Sequence, residues 1–186
     1  MNGTICIRGG RIIDPAAQVD MVGTVVVSEG RIQAVAEGDL PVRADMEIDA
    51  RGLLVVPGLI DLHIHCFEGE TVLGLPPDQI GVAQGVTTVV DAGSAGAQNL
   101  ERFRAQVAGA RTRVLAFLNL AVDGLARERG ELSDPAMLSP EETLAAIRAH
   151  PDFLVGIKAR ASASVVGSQG VAPIRLAAET AHRAGV

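Results

Sequence analysis

The sequence predicts an α/β fold: the N-terminal part of a (β/α)8 TIM-type barrel preceded by a small all-β domain. Three observations lead there. Residues 1–54 hold short strand-like runs separated by turn residues, with no helical period. From Pro57-Gly58 onward, near-continuous apolar runs alternate with stretches of helical character, a pattern that builds a parallel sheet through right-handed crossovers. The stretch VPGLIDLHIHCFEG, residues 55–68, then places two of the four histidines one residue apart behind an apolar run.

Taken in order, ICIRG, RIID, TVVVSEG and RIQAV read as strands, with Gly-Gly, Ser-Glu-Gly and Glu-Gly-Asp as turns. MEIDARG adds a strand and a turn before LLVVPG, and residues 1–54 together make an incomplete sandwich. Residues 55–186 form the second part. LIDLHIH (59–65) is its first strand and PPDQIGVAQG (76–85) its first helix. VTTVVDAGS (86–94) is the second strand, followed by a helix within AQNLERFRAQVAGA. RVLAFLNLA (113–121) is the third strand. Ser139-Pro-Glu-Glu opens the next helix as a capping box, with Pro140 at the first helical position and Glu142 at the third. That helix runs to His150 and stops at Pro151. FLVGIKARA (153–161) is the fourth strand and APIRLAAETAHRAG the fourth helix. A complete barrel of this kind takes roughly 250 residues. Four βα steps therefore read as the first half of a larger unit.

Composition narrows the function classes. With 48% hydrophobic residues the chain packs a core rather than staying disordered, and with no Trp or Tyr that core is aliphatic. A net charge of −6 and the scarcity of aromatic side chains remove the basic footprint and the stacking platforms that nucleic acid needs. Two cysteines, Cys6 and Cys66, are too few for a disulfide framework. The N-terminus lacks a signal-peptide pattern and no apolar run reaches membrane-spanning length. The expectation is a soluble, cytoplasmic protein with no membrane partner, and both a monomer and a homo-oligomer stay open.

On a strand, residues i and i+2 face one side, so His63 and His65 point together near the end where parallel α/β sheets form their sites. The pair reads either as two polar rings satisfied in a core layer or as ligands gripping one divalent ion. Asp61 shares that face one step deeper. Lys158 adds weight to the metal reading. Fifteen of the sixteen basic residues are arginine, and the single lysine stands in an apolar strand. Burial lowers a lysine's pKa, and a neutral amine reacts with carbon dioxide to give a carbamate, a carboxylate able to bridge two metals. The alternative is a lysine whose head snorkels to water at the strand end. Arg160, two residues on, is a candidate clamp for an anionic group of a substrate. Asp91, Ser94 and Asn119 end strands two and three and either line a pocket or make turns. Cys66 points away from His65 into packing, while His150 and His182 read as solvated.

These motifs together resemble the amidohydrolase superfamily of metal-dependent hydrolases. The likeness rests on GGRIIDP and EGRIQAV in the β unit, PGLIDLHIH, VTTVVDAGS, and GIKAR on the fourth strand. Within the superfamily the chain looks most like the dihydroorotase-related amidohydrolase/deacetylase branch. The resemblance implies a binuclear zinc site, other divalent ions remaining open, with His63 and His65 on one metal and carboxylated Lys158 bridging both. It implies metal-activated water attacking an amide, ester or cyclic amide carbonyl of a small molecule, on carbon–nitrogen bonds other than peptide bonds. It also implies two further histidines from strands five and six and a general-base aspartate from strand eight, all beyond Val186, so the chain reads as truncated. Dihydroorotases carry HxHxR, whereas Phe67 stands in the arginine's place here. That departure makes dihydroorotase the lesser enzyme reading. A non-catalytic scaffold or partner subunit is the alternative from another class.

Overall fold

The computed structural model describes residues 3–126 and 130–186. The chain divides into two compact units, Met1–Pro57 and Gly58–Val186, so the division falls slightly beyond the expected boundary after residue 54.

The first unit is a five-stranded sheet. Strands β1 (Thr4–Asp14), β2 (Val19–Ser28) and β3 (Arg31–Glu37) form an antiparallel meander, and β4 (Met46–Asp49) and β5 (Leu54–Val55) both lie parallel to β1. The β2–β3 turn is Glu29-Gly30 with φ of 52° and 72°, the left-handed pair that suits a two-residue hairpin. The expected turn at Gly9-Gly10 is absent. ICIRG and RIID are one strand, and the register with β2 shifts between Arg8 and Gly10. Gly9, at φ 73°, supplies the extra residue of a bulge rather than a chain reversal. Cys6, Ile12, Val25 and Val26 are buried on this sheet.

The second unit is a four-stranded sheet in the order β6 (Leu59–Ile64), β7 (Val86–Ala92), β8 (Arg113–Asn119) and β9 (Leu154–Lys158), every pair parallel. The connections carry α1 (Pro77–Ile80), α2 (Leu100–Val107) and α3 (Pro140–Ala149); α4 (Ala163–Val166) and α5 (Ala172–Ala184) follow β9. Helix α3 starts as the sequence predicts, with the Ser139 hydroxyl accepting from the Glu142 amide at 3.3 Å. The helix expected over 76–85 is only one α turn and a 3-10 turn at Val82–Gln84. Asp78 accepts from the amides of Arg111 and Thr112, and the Thr112 hydroxyl accepts from the Val82 amide. These bonds tie the segment to the chain before β8 instead of letting it propagate. β8 stops at Asn119 because its side-chain oxygen accepts from the Ala121 amide and turns the chain. The short helix α4 has no counterpart in the sequence reading.

Leu100, Phe103 and Val107 of α2 and Ile147 of α3 pack on Ala116, Leu118 and Leu154 of the sheet. Cys66 and Phe67, just past β6, enter the same layer, and the Phe67 and Phe103 rings lie 5.0 Å apart. Burying this aliphatic and aromatic surface holds the helices on one side of the sheet, at about 25 cal/mol per Å². Among the described residues no helix is long and apolar enough to cross a membrane.

Candidate metal centre

The parallel sheet brings the carboxyl ends of four strands to one edge, where ligand sites form in such architectures. His63 and His65 come from the end of β6. Their ring centroids lie 5.8 Å apart at 74°, so the pair faces a common space rather than stacking. Lys158 ends β9, at the opposite side of the sheet. Three strand spacings would separate these edges by about 14 Å in a flat sheet. Yet Lys158 Nζ lies 3.3 Å from His63 Nε2. The sheet therefore curls, and the two long side chains meet across its inner face above β7 and β8.

Gly93 makes that meeting feasible. It has φ 82°, and a Cβ there would lie 2.5 Å from Lys158 Cβ and 2.7 Å from Cγ. Only a residue without a side chain lets the lysine stem cross the end of β7. The preceding Asp91 is fully buried and accepts from the amides of Cys66 at 2.8 Å and Ser94 at 2.6 Å. It therefore fastens the turn after β7 to the chain just past His65. Ser94 in turn places its hydroxyl 2.9 Å from His65 Nδ1. With Nδ1 engaged, Nε2 is the nitrogen left to hold a metal. Asn119 donates to the Gly93 carbonyl at 3.0 Å and supports the same turn from β8.

Burial pushes the His65 pKa down, Asp91 opposes the shift, and the neighbouring His63, Lys158 and Arg160 add to it. Lys158 is lowered first by burial and then by the Arg160 charge, with Asp91 and Glu131 acting the other way. Both shifts favour neutral nitrogens, the forms that bind metal or carbon dioxide. Burial, with Asp91 adding to it, raises the Cys66 thiol, which keeps it a packing group.

Other candidates are placed differently. The Asp61 carboxylate accepts from the His63 amide at 3.0 Å, so it braces the strand backbone. Phe67 is buried between sheet and helix and is not directed to the strand ends. Arg160 lies beyond the end of β9 and is gripped by Glu131, Nε to Oε1 at 2.5 Å and Nη2 to Oε2 at 2.6 Å. His150, expected in solvent, pairs with Glu101 at 2.8 Å, while His182 is exposed. Sequence reasoning missed Glu131 altogether, since GELSDP reads as an ordinary loop. It also missed Gly93, a glycine inside the strand expected over 86–94 that falls just past the observed end of β7 at Ala92. The donor set fits part of a metal shell. Two imidazoles converge beside one amine, and among the described residues no group of three or more His, Cys, Asp or Glu side chains stands close enough to hold an ion.

Comparison with known proteins agrees with this architecture. The whole chain superposes on a dihydroorotase crystal structure with a TM-score of 0.89 at 32% identity, covering 50% of that protein. An adenine deaminase structure gives 0.83 at 33% identity, over 97% of this chain and 48% of the other. The class is thus a β unit followed by a parallel β/α sheet, the architecture of these two structures. Residues 46–127 match the amidohydrolase family. A deacetylase of Enterococcus faecalis is 36% identical over 180 residues, 95% of this chain and 46% of the relative. A deacetylase of Agrobacterium fabrum is 38% identical over 156 residues, 82% of this chain and 38% of the relative. The chain spans less than half the length of these curated relatives.

Proposed function

We propose that the protein is a metal-dependent hydrolase of the deacetylase type, cleaving the carbon–nitrogen bond of a small N-acyl compound, with acyl esters as the neighbouring class. The observation that carries this reading is the approach of the lone lysine to the paired histidines, Lys158 Nζ to His63 Nε2 at 3.3 Å. A chance core lysine has no reason to cross a curled sheet to reach an imidazole. His63 and His65 are the proposed ligands of one zinc ion. Lys158, carboxylated on Nζ by carbon dioxide with loss of a proton, is the proposed bridge to a second. Metal held there supplies Lewis acidity and a water nucleophile near neutral pH. Ser94 holds the His65 ring in the ligating tautomer, and Asp91 keeps Ser94 in place. Arg160 is the proposed contact for an anionic group on the substrate. The two free, buried cysteines suit a reducing compartment, the cytoplasm.

Dihydroorotase is the second reading, favoured by a dihydroorotase of Geotalea daltonii that is 52% identical over 62 residues. Phe67 speaks against it, because an aromatic ring sealed in the core offers no cation to a substrate carboxylate. Side-by-side kinetics of the intact protein on N-acetylated amino acids, acetylated hydroxy acids and dihydroorotate test the choice. Preference for the acyl substrates is expected. A kcat/KM for dihydroorotate of about 10⁴ M⁻¹s⁻¹ or more would overturn it, and a protein that binds no metal and hydrolyses none of the three would return the reading to a scaffold.

A further inference from the structure

The pair formed by Glu131 and Arg160 is lopsided. The Glu131 side chain is wholly buried, beside the equally buried Leu132, whereas 37% of the Arg160 side chain remains open. A buried carboxylate is costly unless it is fully paired, so Glu131 ties the guanidinium to one orientation. The grip takes Nε and Nη2, and among the described residues no bond to Nη1 is present. Arg160 stands two residues after Lys158, just past the carboxyl end of β9 where the strand-end cluster forms.

We propose that Glu131 is a positioning residue: it clamps Arg160 by its Nε–Nη2 edge and so presents the Nη1 amino group to a carboxylate on the substrate. The selected class is then an N-acyl compound bearing a carboxylate, in preference to its neutral amide. The proposal rests on the hydrolase reading above for the identity of the ligand, but not for the clamp itself. A free arginine samples many rotamers, and prior immobilisation removes that entropy from the cost of binding.

The test is equilibrium binding of N-acetylglycine and N-acetylglycinamide to the chelator-treated intact protein, where affinity is measured without turnover. The wild type should bind the carboxylate about tenfold more tightly than the amide, the worth of one charge-assisted hydrogen bond. Glu131→Gln should bring the two affinities within about twofold of each other, and Glu131→Asp, which keeps the charge at shorter reach, should fall between. Arg160→Lys should also abolish the preference, because its single ammonium is taken by Glu131. It keeps the buried carboxylate paired and so decides the matter should Glu131→Gln fail to fold. Equal binding of the two probes by the wild type, or a preference that survives in Glu131→Gln or Arg160→Lys, would overturn the proposal. A preference that behaves as expected in a metal-loaded protein with no hydrolytic activity would sink the hydrolase reading alone.

Discussion

Gly93→Ala is the most informative single perturbation, because its cost can be worked from two separate sources. The residue has φ 82°, and a non-glycine side chain in the left-handed region costs about 1–2 kcal/mol. The new Cβ would also lie 2.5 Å from Lys158 Cβ, a contact that must be relieved by moving the turn or the strand end. Overpacking of this kind costs about 1–3 kcal/mol, so the expected total is about 2–5 kcal/mol. Urea unfolding of the intact protein measures it. Lys158→Gly in the Gly93→Ala background should recover the steric part and leave the backbone part, so the two sites should couple by about 1–3 kcal/mol. Wild-type stability in Gly93→Ala, within about 0.5 kcal/mol, or strict additivity in the double variant, would refute the claim that the lysine stem crosses this glycine.

Loss of the α3 cap in Ser139→Ala should cost about 1 kcal/mol by the same unfolding assay. Phe67→Ala should cost about 3–5 kcal/mol, and Phe67→Arg should gain no dihydroorotate turnover, since position 67 points into the core; efficient turnover in that variant would show that the position reaches the site. In chelator-treated protein, His65 should make stability fall with acidity. Its folded pKa lies below the ordinary 6.5, so the unfolded chain takes up the proton first, and the contribution is lost as pH drops from 6.5 through the folded value. Denaturant midpoints at pH 7.5 and 5.5 check this, with His65→Gln expected to flatten the difference. Expressed alone, residues 1–186 should self-associate, because Leu59, Ile60 and Leu62 of the edge strand β6 are exposed. Light scattering that finds a monodisperse monomer would contradict it.

Much of the fold was legible because its signals are local. Apolar runs bounded by Gly and Pro marked the four parallel strands, and Ser139, Pro140 and Glu142 marked the start of α3. What failed depended on distant partners. The dipeptide Gly9-Gly10 looks the same in a turn and in a bulge, and only pairing with β2 decides between them. The segment 76–85 has helical character, but its bonds to Arg111 and Thr112 limit it to single turns. The histidine pair and the lone lysine could be picked out by residue type and strand periodicity. Their meeting could not, because it depends on the curvature of the sheet and on Gly93 clearing the path. Arg160 was visible as a charge beside the lysine, while its hold by Glu131 joins residues that are 29 positions apart and leaves no pattern in the sequence.

The central claim is that Lys158 and the two histidines form one metal site, and zinc stoichiometry tests it most directly. The intact wild-type protein, loaded with zinc and freed of excess, should hold two ions per chain. Lys158→Ala should lose the bridged pair, and a short carboxylic acid added to that variant should restore part of the metal by standing in for the carbamate. Lys158→Arg, which keeps the charge but cannot form a carbamate, should fail as Lys158→Ala does. Two tightly held zinc ions in Lys158→Arg would contradict the account.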